Sequence, residues 1–224
     1  MKILALEFSS PQRSVAVVQG SGVPPRGATP GTVEVIETGQ LPAKSIGMTQ
    51  EALHQAHLER EQIECLAVGL GPGSYTGIRA AIALAQGWQL AREVKLVGLS
   101  SADIVAAQAQ TDGLVGHIAV VIDAQRGEFY LANYDLTAHR WHATGSLRLA
   151  GFGEVQACQR AGQAIVGPEV TRWFPDSRII FPRASRLGSL ALSQTDFVSG
   201  HRLEPLYLRQ TSFVKAPPPR SLPP

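Results

Sequence analysis

Cysteine is nearly absent: Cys65 and Cys158 are the only two in 224 residues. Two are too few for a disulfide framework, so both read as buried thiols. Long apolar runs are absent as well. The longest, such as Ile118 to Ile122, fall far below the roughly 18 to 20 residues a membrane helix needs. The beginning has neither the apolar stretch nor the small-residue cleavage site of a signal peptide. A cytoplasmic protein with no membrane contact is expected. Charge of one sign is also short, since charged residues make up 17% and the net charge is +2. That balance does not announce a nucleic-acid binder, although Arg172, Arg178, Arg183, Arg186, Arg202, Arg209, Lys215 and Arg220 gather late. A solvated basic surface accounts for them, and an anionic partner is the alternative.

What is present centres on Gly69-Leu70-Gly71-Pro72-Gly73-Ser74-Tyr75-Thr76-Gly77-Ile78-Arg79. The apolar residues Ile63, Leu66, Ala67, Val68 and Leu70 predict a short buried strand, which Gly71-Pro72-Gly73 must end. Ser74 and Thr76 can cap the next element, and Ile78 to Arg92 reads as a helix. A glycine loop between strand and helix N-terminus can cradle an anion, or it can be only a tight turn. The known motifs fail here. Thr76 stands where the dinucleotide fingerprint needs glycine, no lysine sits where a P-loop needs one, and Pro72 and Thr76 flank Ser74 where a hydrolase elbow has glycines.

The helix carries two apolar stripes, one through Ile78, Ala81, Ile82, Ala85 and Trp88, the other through Ala80, Ala83, Leu84, Gly87, Leu90 and Ala91. Arg79, Gln86 and Glu93 form a narrow polar line. A surface helix ordinarily shows one stripe, so two predict burial against a sheet on one side and against another helix or another chain on the other.

Length suits two lobes of about 100 residues each. Lys2 to Glu7 and Ser14 to Val18 predict a hairpin with a carboxylate at its tip. The Gly- and Pro-rich stretch Gly20 to Gly31 predicts a loop, followed by a strand over Val33 to Glu37. A helix is expected from Ser45 to about His57 with Ile46, Thr49, Leu53 and Ala56 on one face. After a strand at Val94 to Leu99, Ser100-Ser101-Ala102-Asp103 resembles a capping box opening a helix to about Ala109. Residues 110 to 116 are the expected lobe boundary, with a first lobe over 1–112, a second, degenerate one over 113–215 whose last part can return to the first, and a Pro-rich segment, 216–224, expected to be disordered or polyproline-like. The pattern then restarts. His117 to Ile122 and Glu128 to Tyr134 flank a turn that begins at Asp123, which stands 116 positions after Glu7 and suggests a duplicated unit. A helix at Glu154 to Ala161, strands at Ala164 to Val166 and Ile179 to Phe181, a helix at Ala184 to Ser193 and an extended Leu203 to Arg209 complete the α/β reading.

Two lobes whose first hairpins end in a carboxylate describe the architecture of actin, hexokinase and Hsp70, the ASKHA type of paired RNase H-like lobes. The stretch Leu66 to Arg79, with Ile3 to Ser10 upstream, Gly98-Leu99-Ser100-Ser101 after it, Asp123-Ala124-Gln125-Arg126-Gly127-Glu128-Phe129-Tyr130 later and Pro205-Leu206-Tyr207-Leu208-Arg209 near the end, resembles the TsaB family. That family is the dimerisation subunit of the bacterial assembly that forms threonylcarbamoyladenosine beside the tRNA anticodon. The resemblance implies a noncatalytic scaffold that shares the fold of the catalytic subunit TsaD and pairs with it through first-lobe helices. It also implies a TsaE-like ATPase as a further partner, a homodimer in isolation, only indirect contact with tRNA, and ATP or ADP at the subunit junction as the possible nucleotide.

On that basis the partner contact is expected at Ile46, Met48, Thr49 and Leu53 of one helix and at Ile78, Arg79, Ile82, Gln86 and Trp88 of the other. Vestigial nucleotide-side candidates are Glu7, Ser9, Gly71, Gly73, Ser74, Thr76 and Asp123. The sequence departs from the family at Glu7, where Asp is usual, at Ser9, where nucleotide-binding members of the superfamily have glycine, and at Lys44-Ser45, where His-Ser is usual. These departures count against a magnesium–ATP grip. No metal site is expected: the catalytic relative uses His-x-x-x-His, whereas His54 and His57 are three apart with Leu58 at the fourth position, and no His-Glu-x-x-His occurs. The competing reading is a stand-alone ATP-dependent kinase of the same superfold, with Glu7 and Asp123 on the magnesium side and Gly71 to Thr76 on phosphate.

Overall fold

A computed structural model describes residues 1–20, 31–39 and 45–208. The loop expected between the second and third strands, Lys44 and the Pro-rich segment 216–224 lie outside those residues, apart from the loop's two ends.

The first half forms β1 (Lys2–Glu7), β2 (Gln12–Gln19), β3 (Gly31–Thr38), α1 (Ser45–Gln55), β4 (Cys65–Gly69), α2 (Tyr75–Ala91), β5 (Lys95–Leu99) and α3 (Ser101–Thr111). Its strands lie in the order β3-β2-β1-β4-β5, with antiparallel hairpins on one side and parallel pairs on the other. Alternation along β1 explains the layers. Leu4 and Leu6 face a core shared with Met48, Ala52 and Leu53 of α1 and Ile78, Ala81, Ile82 and Ala85 of α2. Ile3 and Ala5 face the opposite core, where Ile104 of α3 packs. A strand covered on both faces has to be apolar throughout, which is why β4 is buried at every position.

The second half repeats the plan: β6 (Gly116–Asp123), β7 (Glu128–Leu136), β8 (Trp141–Ala143), β9 (Arg148–Gly151), α4 (Phe152–Arg160), β10 (Ala164–Gly167), β11 (Arg178–Ile179) and α5 (Ala184–Ala191). The order β11-β10-β6-β7-β8, with β9 also on β7, places β6 as β1, β7 as β2 and β10 as β4. The two-lobe α/β architecture read from the sequence is therefore the architecture of the molecule. Between the sheets, α3 serves both cores, with Ile104 on one side and Val105, Ala106 and Ala109 on the other.

Several local readings are corrected. α1 ends at Gln55, and its inward residues are Met48, Thr49, Ala52 and Leu53 while Ile46 is exposed; the true stripe lies one step round the helix. α2 starts at Tyr75, directly after its cap Ser74. The capping box at Ser100 is half made: the Ser100 hydroxyl accepts from the Ala102 N–H, but the Asp103 carboxylate accepts from the Tyr134 hydroxyl at 2.7 Å. β8 and β9 had no expectation, being three and four residues long with little alternation.

After the second sheet, α5 returns to the first. Ala184, Leu187 and Ala191 fill the core beside Ile3, Ala5, Ala16 and Val18, and a Cβ on Gly188 would stand 2.5 Å from Val18 Cγ2. The start of this helix is held by Glu34 of β3, whose carboxylate accepts from Arg183 Nη2 at 2.6 Å, the Ser185 N–H at 3.1 Å and the Ser185 hydroxyl at 2.7 Å. Burial alone would push this carboxyl up, but the Arg183 and Ser185 hydrogen bonds and the guanidinium charge together hold it below its ordinary value.

A folded-state value below the unfolded one stabilises the protein above the unfolded value of 4.5 and ceases to do so as pH falls through the folded value. Glu34→Gln should therefore cost about 1–3 kcal/mol at neutral pH, with the difference from wild type shrinking as urea melts are run below pH 4.5. A difference that stays constant down to strongly acidic pH would refute this clamp.

Candidate functional site

The glycine loop is fastened to the first hairpin by contacts that leave no room for side chains. The Ser74 N–H donates to the Ser9 carbonyl at 2.7 Å. A Cβ on Gly73 would meet the Ser9 carbonyl oxygen at 2.1 Å, and one on Gly77 would meet the Phe8 carbonyl oxygen at 2.0 Å. The Ser74 hydroxyl then accepts from the Gly77 N–H at 3.3 Å and opens α2. Other loop donors are also committed: the Leu70 N–H goes to the Leu99 carbonyl at 2.8 Å, and the Gly71 N–H to the Ser101 hydroxyl at 3.2 Å. At these positions the loop is a fastening, with its amides turned to the protein.

Glu7 lies behind this loop, fully buried. Its carboxylate accepts from the Ser9 N–H at 2.8 Å and the Ser101 hydroxyl at 3.0 Å. Burial pushes the carboxyl up, and the hydrogen bonds from Ser9 and Ser101 offset only part of that. A Cβ on Gly69 would stand 1.9 Å from Glu7 Oε2, so the longer Glu side chain fits because β4 has glycine opposite it.

Between the lobes lies a cleft of about 800 Å³. Of the nucleotide-side candidates it brings together Ser9, Gly73, Ser74, Thr76 and Asp123, and it leaves out Glu7 and Gly71. Arg13, Arg126, Tyr75 and Tyr207 join the lining. Asp123 is held within its own turn, accepting from the Gln125 N–H at 2.7 Å and from Gln125 Nε2 at 3.0 Å. The tip of that turn takes positive φ at Gln125, Arg126 and Gly127. With Glu7 sealed behind the loop, these residues do not fit a magnesium-bridged nucleotide in the manner of a kinase. Among the described residues, no group of three or more His, Cys, Asp or Glu side chains is arranged to hold a metal ion.

The two stripes of α2 separate in part, with Ala80 and Leu84 of the second packed at the edge of the core that the first fills. Ile78, Ala81, Ile82 and Ala85 are buried against the sheet, with Trp88 packed partly onto the same core. Of the second stripe, Ala83, Gly87, Leu90 and Ala91 are exposed and Ala80 and Leu84 half-buried, with Leu90 at 91% exposure. The expected contact residues therefore divide. Met48, Thr49, Leu53, Ile78 and Ile82 are enclosed by the chain's own core. Ile46 and Arg79 are exposed. Gln86 is half-buried and spends its amide on the Gly200 carbonyl at 2.8 Å.

Sequence reasoning placed Leu90 in the second stripe without singling it out as a contact residue, and it missed Tyr75 and Tyr207 as surface features. Tyr75 and Tyr207 stack at 5.8 Å between centroids, the Arg79 guanidinium lies 4.1 Å from the Tyr75 centroid, and Arg79 Nε donates to the Tyr207 hydroxyl at 3.1 Å. No sequence signal links residues as far apart as Arg79 and Tyr207. Of the two large residues of the second stripe, Leu84 is half-buried and Leu90 exposed.

Comparison with known proteins gives a consistent family. Residues 41–198 match the family model described as TsaD, tRNA N6-adenosine threonylcarbamoyltransferase. The tRNA threonylcarbamoyladenosine biosynthesis protein TsaB of Escherichia coli is 28% identical over 188 residues, covering 76% of this chain and 81% of the relative. The TsaB protein of Buchnera aphidicola subsp. Schizaphis graminum is 30% identical over 91 residues, covering 41% and 43%. The solved structure of YeaZ from Pseudomonas aeruginosa shares the fold, with a TM-score of 0.77 at 24% identity over 92% of this chain and 99% of that one.

Two glycines test the reading of the loop and helix. Gly73→Ala should cost more than about 2 kcal/mol in chemical denaturation, since its Cβ has a backbone oxygen in the way. Gly87→Ala, with open space around the added carbon, should gain about 0.5–1 kcal/mol. Equal effects of the two would contradict the fastening.

Proposed function

The chain belongs to the TsaD family of tRNA N6-adenosine threonylcarbamoyltransferase proteins, and on that premise we propose that it is a noncatalytic scaffold subunit that pairs with a TsaD-like catalytic subunit to form N6-threonylcarbamoyladenosine beside the tRNA anticodon. The names of its curated relatives supply the pathway. The observation that carries the pairing is the open stripe of α2. Ala83, Gly87, Leu90 and Ala91 are exposed along one face of a helix whose other face is in the core. Small residues let a second helix approach closely, and a lone large one can seat in a partner's pocket. Ile46 of α1 is also exposed, at 60%, and the Tyr75–Arg79 pair lies at the start of α2.

In this role the buried Glu7 and the committed loop amides are what a scaffold needs, namely a rigid presentation of α2. The kinase reading has no comparable support, since one of its two carboxylates is enclosed. A homodimer in isolation would use the same stripe, and a TsaE-like ATPase would join the assembled pair. Any nucleotide would then sit at the subunit junction, and tRNA would be reached through the partner. Among the described residues no helix is long and apolar enough to cross a membrane.

Leu90→Asp tests the placement. The variant should fold with a melting temperature close to wild type, because the side chain is 91% exposed, and should lose at least about tenfold in affinity for a TsaD-like subunit in titration calorimetry. Ile82→Asp, in the core, should instead fail to fold. Undiminished pairing by Leu90→Asp would move the contact away from α2.

A further inference from the structure

The first turns of α2 carry a cation where the backbone favours an anion. A helix N-terminus is the positive end of the helix dipole and attracts acids, yet the first turn of α2 has none. Arg79 leans back over that turn instead. Its Cζ lies 4.1 Å from the centroid of the Tyr75 ring and 5.9 Å from that of Tyr207, and the two rings stack. Arg79 Nε donates to the Tyr207 hydroxyl at 3.1 Å. Among the described residues no carboxylate forms an ion pair with this guanidinium, and its Nη groups have no hydrogen-bond partner. The side chain is therefore held in one direction by Tyr75 and Tyr207 while its outer edge stays uncommitted.

Arg79 also shares a face with the open stripe. At about 3.6 residues per turn, Leu90 stands about 20° round the helix from Arg79 and about 16 Å along it, with Ala83 and Gly87 between them. All four are exposed. The face thus has a fixed cation at one end, small residues in the middle and an apolar knob at the other end. The planar fork of an arginine matches carboxylate and phosphate alike. Small residues and an exposed leucine are covered by protein, so on this face the matching anion is a side-chain carboxylate. A complementary partner presents that carboxylate and an apolar pocket about 16 Å apart, which is about three turns of a helix.

We propose that Arg79 is the charged anchor of the pairing face: clamped by Tyr75 and Tyr207, its guanidinium takes an Asp or Glu carboxylate of the TsaD-like subunit through both Nη groups, while Leu90 seats in that subunit's apolar pocket. Tyr207 acts through Arg79 as a positioning residue, 128 positions along the chain. Because the arginine is already fixed, little side-chain freedom remains to be lost on pairing. The inference rests on the pairing proposed above and adds the group that the partner must present.

The test is titration calorimetry of the full chain with a TsaD-like subunit, for wild type, Arg79→Gln, Arg79→Lys and Leu90→Asp, at about 0.1 M and about 1 M salt, where the screening length falls from about 10 Å to about 3 Å. At the lower salt Arg79→Gln should lose at least about tenfold in affinity with an unchanged melting temperature, since the residue is exposed. Arg79→Lys should recover less than about half of that loss on a logarithmic scale, because lysine offers neither the fork nor the Nε bond to Tyr207. At the higher salt the gap between wild type and Arg79→Gln should narrow to about threefold or less. Wild-type affinity in Arg79→Gln together with lost pairing in Leu90→Asp would overturn the charged anchor and leave the scaffold function standing. A loss in Arg79→Gln that salt does not reduce, or full recovery with lysine, would also overturn it. No binding by the wild-type chain would refute the function itself.

Discussion

Everything about the presented face of α2 depends on how closely the glycine loop approaches the first hairpin. The carbonyl oxygens of Phe8 and Ser9 occupy the positions that side chains at 77 and 73 would need. Only backbone can pack there, and the hydrogen bond from Ser74 to Ser9 locks it. The start of α2 is thereby set against the end of β1, which in turn fixes the rotation of the helix: Ile78 and Ile82 must point at the sheet, and the opposite face must point away. One steric constraint thus decides which stripe is core and which is available.

The same constraint accounts for Glu7. A carboxyl with no exposure is costly unless donors meet it, and here one comes from the hairpin turn and another from Ser101 at the start of α3. Because the Ser101 hydroxyl also receives the Gly71 N–H, the buried acid ties hairpin, glycine loop and α3 into one network. The corner at the end of β1 is thus filled by the chain's own side chains.

The sequence made some of this legible and hid the rest for definable reasons. Strand, loop, cap and helix around Ser74 can be read from local chemistry, because Gly-Pro-Gly cannot continue a strand and a serine before a helical pattern caps it. The two stripes of α2 can be read from periodicity. Which stripe faces inward cannot, because coverage is decided in part by β1, distant in sequence; Ile78 and Ile82, expected at a partner contact, lie in the chain's own core. Glu7 was recognisable as a hairpin-tip carboxylate, but its enclosure depends on Gly69 and Ser101, far along the chain. The stacking of Tyr75 on Tyr207 is a long-range contact of the same kind. Short strands such as Trp141–Ala143 carry too few residues for a period to show.

The late return of α5 shapes how the molecule is made. During synthesis the first sheet emerges early, but the face formed by Ile3, Ala5, Ala16 and Val18 waits for Ala184, Leu187 and Ala191. Until those residues clear the ribosome, one side of the amino-terminal half is a greasy plane that Ile104 of α3 covers only in part. Nascent chains truncated before residue 184 should therefore be the sticky, chaperone-dependent species, even though they contain all of the first sheet.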